Sequence, residues 1–244
     1  MQIGITMYQT KYFSKVTGTN PFMTTLIRAA YRVYRTYLKK YKRKKLLLKA
    51  EQRCMRRFEI RFPHDDKMFL PDYLDLENLI DRILLLKPTK VLEIGGGYST
   101  MAIAFALKEA FKGTNTVPKL VTIDQSDYYL EKTKALVGNV SGVKIEYLHR
   151  ELYVDSLNGE KMSFINDLPI DVFHFVYEDR HDHPEAPIAG DILLLEQRAI
   201  DNDAEFNFTI DLMIATASAC KRWLKRNYEV TGEYLTGTNF TQIK

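Results

Sequence analysis

Short apolar runs alternate with segments of helical periodicity from residue 90 to the end of the sequence. This alternation predicts β-α-β crossover units and a mostly parallel sheet. The predicted strands are Lys90–Gly95, Lys119–Asp124, Val143–Leu148, Asp171–Tyr177, Phe206–Asp211, Tyr228–Leu235 and Thr238–Ile243. The predicted helices are Pro71–Leu86, Thr100–Phe111, Asp127–Val137, about Ala189–Arg198 and Met213–Arg226. Because only Thr236 and Gly237 separate the last two strands, we expect these strands to form an antiparallel hairpin.

The segment before residue 70 has a different pattern. Residues 22–58 contain neither Gly nor Pro, and their apolar residues recur at helical spacing between lysines and arginines. This predicts a basic amphipathic helix with a break near Lys42–Lys45, because a single helix of this length is rare, and a second helix over Leu46–Phe58. We therefore divide the chain into a basic helical extension, residues 1–70, and an α/β domain, residues 71–244.

Charge follows the same division. The chain has 244 residues and a net charge of +4, with 45% hydrophobic and 27% charged residues, a composition typical of globular proteins. Residues 1–61 hold 16 basic and two acidic residues, a charge of +14, so the remaining residues carry −10. A strongly basic segment raises the expectation of contact with nucleic acid or an anionic membrane through residues 22–58. Packing of this segment on the α/β domain is an equally open interpretation.

The sequence shows no recognisable pattern for secretion or membrane insertion, so we expect a cytoplasmic protein. The first 20 residues show no secretory signal pattern, and no apolar run reaches the length that crosses a bilayer. Cys54 and Cys220 lie far apart, without the spacing of a zinc site or a redox motif.

The most informative stretch joins the first predicted strand to the following helix. An apolar strand containing Glu93 runs into Gly95, Gly96 and Gly97, and a helix opens at Ser99 or Thr100. Glycines allow a tight turn and let a ligand approach the backbone. The next strand ends in Asp124, 27 residues after Gly97, where a carboxylate can accept hydrogen bonds from both ribose hydroxyls. Together these features predict a nucleoside-containing cofactor.

The run Val91-Leu92-Glu93-Ile94-Gly95-Gly96-Gly97 resembles the first motif of class I S-adenosylmethionine-dependent methyltransferases, and Asp124 matches their second acidic position. The resemblance covers about residues 75–244. It implies a Rossmann-like α/β fold whose seven-stranded sheet has the order 3-2-1-4-5-7-6, with helices on both faces, and S-adenosylmethionine as cofactor. The cofactor-binding residues it implies are Glu93, Gly95, Gly96, Gly97, Ser99, Thr100, Asp124 and Gln125.

The loop after the fourth predicted strand is rich in acids and histidines. In the resemblance the end of this strand faces the methyl group and the acceptor, with Asp179 at the family's acidic position and Arg180 replacing a glycine. Asp179 or His181 is the predicted catalytic base, since a base near the acceptor removes its proton and imidazole titrates near neutrality.

Two other interpretations of this loop stay open. Its side chains could bind a metal, or the loop could be solvated and without chemical role, and we predict that no metal is bound. The metal ligands in the first case would be Asp179, His181, His183 and Glu185, with Asp211 as a loose match to a further acid.

The sequence thus predicts a methyltransferase for an unidentified acceptor, with a small molecule or saccharide favoured over nucleic acid. One alternative is a non-catalytic methyltransferase-like protein that binds nucleic acid or membrane through its basic helix. A second is an NAD-dependent oxidoreductase, against which Thr100 speaks because it stands where nicotinamide-binding motifs have their third glycine.

Overall fold

The computed structural model describes residues 73–180, 186, 189–211, 214–231 and 238–243. The helices of this part are α1 (Tyr73–Leu86), α2 (Tyr98–Ala110), α3 (Asp127–Val137), α4 (Asp191–Asp201) and α5 (Ile214–Trp223). Its strands are β1 (Lys90–Ile94), β2 (Lys119–Asp124), β3 (Lys144–His149), β4 (Leu152–Leu157), β5 (Glu160–Ile165), β6 (Phe175–Glu178), β7 (Asn207–Ile210), β8 (Tyr228–Thr231) and β9 (Thr238–Gln242). The helices predicted between residues 22 and 58 lie outside the described residues.

Seven strands form one sheet in the order β3-β2-β1-β6-β7-β9-β8. The pairs from β3 to β7 are parallel, whereas β9 runs antiparallel to both β7 and β8. When β4 and β5, which pair only with each other, are set aside, this is the order 3-2-1-4-5-7-6. The predicted fold class, the strand order and the final antiparallel pair are therefore confirmed.

The predicted strand over Asp171–Tyr177 starts too early, since β6 begins only at Phe175. Asp171 instead forms ion pairs with Lys90 at 3.2 Å and Lys119 at 2.8 Å. These contacts hold the segment before β6 beside the first residues of β1 and β2. The pairing of β6 with β1 starts only at Phe175.

The hairpin of β4 and β5 was not predicted. Its turn is Asn158-Gly159, and both residues have positive φ, 54° and 78°. Asn-Gly with two left-handed residues is the strongest local hairpin signal, because this turn matches the twist of the strands. The hairpin is attached to the start of α4, since Gly190 N donates to Ser163 O at 2.9 Å and Ile165 N donates to Asp191 Oδ1 at 2.9 Å.

Apolar side chains cover both faces of the sheet. Leu79 and Ile83 of α1 are fully buried in a cluster with α2, while the other face packs against α4 and α5. Arg82 ties α1 to the far side of the sheet by donating to Phe240 O at 3.2 Å and Thr241 Oγ1 at 3.0 Å. Burial lowers the pKa of Arg82 to about 10. No helix in the described ranges is long and apolar enough to cross a membrane.

Candidate active site

A cavity of about 300 Å³ opens at the carboxyl ends of β1, β2, β6 and β7. This is where ligands bind in open α/β sheets. The predicted site residues that line it are Gly95, Gly96, Gly97, Ser99, Asp124, Gln125 and Asp179. Glu93 and Thr100 are fully buried and do not line it. His181 lies outside the described residues, so its role as a base stays a prediction.

The glycine turn packs closely against the backbone of Asp179, the residue that follows β6. Gly95 has φ +95°, and a Cβ built on it would lie 2.6 Å from Asp179 O. A Cβ on Gly96 would lie 3.1 Å from Thr122 Cγ2. A side chain at position 95 would therefore both strain the turn and displace the backbone at Asp179.

The buried side chain of Glu93 holds this turn in place through hydrogen bonds. Its Oε2 accepts hydrogen bonds from Thr100 Oγ1 at 2.5 Å and Thr122 Oγ1 at 2.9 Å, and Gly97 N donates to Thr100 Oγ1 at 3.0 Å. Burial raises the pKa of Glu93 to about 7, although hydrogen bonds from Ser99, Thr100 and Thr122 oppose the shift. Glu93 and Thr100 thus hold the backbone of the turn rather than bordering the cavity.

Asp124 joins the turn to the start of α3. Its Oδ2 accepts from Gly96 N at 3.0 Å and its Oδ1 accepts from Ser126 N at 2.8 Å. Ser126 in turn caps α3 by accepting from Tyr129 N. A carboxylate offers about four lone-pair sites, so each oxygen can accept a further hydrogen bond from a ligand in the cavity.

Asp179 and Asp211 meet on the other side of the cavity. Asp179 N donates to Ile94 O at 2.8 Å, and Asp211 N donates to Glu178 O at 2.9 Å, which places both residues just after the ends of neighbouring strands. Burial, followed by the charge and hydrogen bond of Asp211, raises the pKa of Asp179 well above its usual range. Asp75 of α1 and Tyr177 of β6 also line the cavity, and neither was predicted as a site residue. No local signal marks them, because long-range packing brings them there.

Arg180, the residue after Asp179, is part of a buried ion network. Its Nε lies 3.0 Å from Glu178 Oε1, and a terminal nitrogen lies 2.6 Å from Asp191 Oδ2, with all three side chains almost fully buried. The same nitrogen donates to Ser163 O at 3.3 Å. Arg180 therefore joins β6, the hairpin and α4 directly behind Asp179.

The metal hypothesis receives no support from the described part of the chain. There, no group of three or more His, Cys, Asp or Glu side chains is arranged to hold a metal ion. His183 and Glu185, two of the suggested ligands, lie outside that part, so the absence of a metal stays a prediction.

The order and direction of the strands, with the cavity at the carboxyl end of the central β1, decide the fold. The chain has the class I methyltransferase fold. The resemblance of Val91–Gly97 is thus confirmed at the level of the fold. No protein-family model matches this methyltransferase-fold chain, and no curated protein matches it.

Solved structures with similar folds include three methyltransferases. The methyltransferase PaMTH1 of Podospora anserina, bound to S-adenosylhomocysteine, has 14% identity and a TM-score of 0.44, covering 80% of this chain and 88% of that one. The O-methyltransferase TomG of Streptomyces achromogenes, in complex with S-adenosylmethionine, has 17% identity and a TM-score of 0.40, covering 80% and 86%. An O-methyltransferase of Bacillus cereus, with S-adenosylhomocysteine, has 14% identity and a TM-score of 0.40, covering 79% and 90%. Since these values are low, the fold assignment depends on the sheet order.

Proposed function

We propose that this protein is an S-adenosylmethionine-dependent methyltransferase that acts on a small molecule or saccharide. The observation that carries the proposal is the meeting of Gly95–Gly97 and Asp124 in one cavity at the carboxyl ends of β1 and β2. These are the elements that a fold of this type uses for a ribose-containing ligand.

The residues of the cavity fit this cofactor. The turn exposes backbone rather than side chains, and a Cβ at Gly95 would overlap the backbone at Asp179. Asp124 is held by Gly96 N and Ser126 N with lone pairs left for two ribose hydroxyls. Gln125 follows Asp124 in the cavity wall and would lie beside the adenine of a cofactor bound in this way.

When bound, S-adenosylmethionine supplies a methyl group on a positively charged sulfur. Asp179, which lines the cavity, would accept the proton of an acceptor hydroxyl as that oxygen is methylated, and the displaced sulfur would leave as the neutral thioether. The raised pKa of Asp179 makes its carboxylate a stronger base than an ordinary aspartate. His181 is the alternative base. Because Asp179 lies in the same cavity as the glycine turn, the reacting atom must enter that cavity, which supports a small acceptor or an accessible sugar hydroxyl.

A thermal-shift panel with S-adenosylmethionine, S-adenosylhomocysteine and NAD tests the cofactor. We expect both adenosylated compounds to raise the melting temperature and NAD to leave it unchanged. A shift with NAD alone would instead favour the oxidoreductase. If no compound shifts the transition, while the chain binds RNA or anionic vesicles, the non-catalytic alternative replaces our proposal.

Replacement of Asp124 by alanine tests the ribose contact. Two hydrogen bonds to a charged acceptor are lost, so we expect affinity for S-adenosylhomocysteine to fall by on the order of 100-fold or more in isothermal titration calorimetry. Asp124→Asn keeps one acceptor oxygen for the local backbone and guards against a folding defect. The control is Glu131→Ala, an exposed acid of α3 that does not line the cavity. Equal affinity of wild type and both Asp124 variants would remove the ribose role.

A further inference from the structure

Arg150, which lies directly after β3, lines the same cavity and has no part in the proposed methyl transfer. Its backbone is fixed on the cofactor side, because Arg150 N donates to Asp124 O at 3.0 Å. The neighbouring His149 Nε2 lies 3.1 Å from Gln125 O. The end of β3 is therefore tied to the two residues that we place around the ribose and the adenine.

The guanidinium of Arg150 has little to bind within the protein. A terminal nitrogen donates to His149 O at 2.9 Å, while Nε is buried without a hydrogen-bond partner among the described residues. No carboxylate within those residues forms an ion pair with it, unlike Arg180, which contacts two. A partly buried cation with an unused donor is costly unless a ligand covers it.

The position of Arg150 in the sheet restricts which ligand group it meets. The strand order places β3 beyond β2, at one end of the cavity, while Asp179 and Asp211 follow β6 and β7 on the other side of β1. Arg150 therefore lies on the opposite side of β1 from the carboxylates of Asp179 and Asp211, and it is adjacent to Asp124 and Gln125. The apolar side chain of Leu152 also lines this end, which suits a flat aromatic base more than a phosphate.

We propose that Arg150 recognises the adenosine part of the cofactor by placing its planar guanidinium against the face of the adenine. Guanidinium groups stack on aromatic rings and are weakly hydrated, so they do this better than an ammonium group. This inference rests on the proposed function, since it assigns a contact to the same cofactor. It adds a binding residue that distinguishes ligands with a purine base from ligands without one.

Affinities of S-adenosylhomocysteine and of adenosine for four full-length proteins, wild type and three variants, test the proposal without need of an acceptor. Arg150→Met removes the charge and the plane at similar length, and Arg150→Lys keeps the charge but not the plane. Arg222→Met is the control, because Arg222 is exposed, pairs with Glu160 and does not line the cavity. We expect both Arg150 variants to bind both ligands about ten-fold more weakly than wild type and Arg222→Met to be unchanged.

The outcomes separate this inference from the proposed function. If wild type binds neither ligand, the proposed function fails and the inference fails with it. If wild type binds but Arg150→Met binds within two-fold of it, only the inference fails. The stacking contact is overturned if Arg150→Lys binds with wild-type affinity. It is also overturned if Arg150→Met loses affinity for S-adenosylhomocysteine but not for adenosine. The affinity for S-inosylhomocysteine, which lacks the adenine amino group, should fall by the same factor in Arg150→Met, because stacking does not depend on that group.

Discussion

At the scale of single residues, Glu93 makes stability depend on pH. Its pKa is about 7 in the folded chain, raised by burial, against 4.5 for a free glutamate. Between these values the folded state binds more protons than the unfolded state, so stability falls as pH rises. The contribution of the neutral acid is complete below about pH 4.5 and is lost through pH 7.

The variant Glu93→Gln isolates this effect because its amide does not titrate. Urea unfolding of wild type and variant at pH 4.5, 6, 7 and 8 should show wild type losing roughly 3 kcal/mol relative to the variant across this range. The difference should level off above pH 8. A constant difference between the two proteins at all four values would contradict a raised pKa for Glu93.

The part of the cavity formed by the residues after β1 and β2 could be predicted from the local sequence. Gly95, Gly96, Gly97, Asp124 and Gln125 line one cavity, because a strand-turn-helix motif and a strand end are decided by nearby residues, and their contact with a cofactor stays a prediction. Asp75 and Tyr177 reach the cavity through the packing of α1 and the register of β6, which no local pattern encodes. Arg180 was noticed as a departure from the family, but its partners Glu178 and Asp191 depend on tertiary contacts.

At the scale of elements, the bounds of α3 were predicted to the residue, since Ser126 caps its start and Gly138 follows its end. The hairpin of β4 and β5 shows the opposite case. Asn158-Gly159 predicts a hairpin turn, but β4 has no buried residue and lies, along the chain, between strands of the main sheet. An insertion that pairs only with itself does not disturb the alternation of strands and helices, so that alternation could not reveal it.

Arg180 connects this hairpin to the rest of the fold, and its replacement tests how much the connection contributes. Arg180→Met leaves the buried carboxylates of Glu178 and Asp191 without their cation, which should lower the free energy of unfolding by about 3–5 kcal/mol. Urea unfolding at pH 7 measures the change. Arg222→Met, which removes an exposed ion pair with Glu160 at 2.8 Å, should cost about 1 kcal/mol or less.

The double variant Arg180→Met/Glu178→Gln gives a second check on the network. Removal of one of the two buried carboxylate charges should recover part of the lost stability, because the cost comes from buried carboxylates without their cation and not from the missing side-chain volume. Equal stability of the single and double variants would mean that packing alone accounts for the loss.

At the scale of the whole molecule, charge and chemistry are divided along the chain. Residues 1–61 carry +14, and the remaining residues carry −10. All the described residues that line the cavity belong to that acidic portion. Binding of polyanions should therefore depend on the first segment, and binding of the cofactor on the second.

Two charge-neutralised variants separate these activities, each losing five positive charges. The first carries glutamine at Lys39, Lys40, Lys42, Lys44 and Lys45, and the control carries glutamine at exposed lysines of the acidic part, Lys87, Lys108, Lys112, Lys144 and Lys161. On immobilised heparin we expect the first variant to elute at clearly lower salt than wild type and the control to elute near it, because a dense basic segment releases more counterions than scattered lysines. Both should keep wild-type affinity for S-adenosylhomocysteine. Equal retention of the two variants would show that net charge alone governs binding, and weaker cofactor affinity in the first variant would show that the basic segment contributes to the cofactor site.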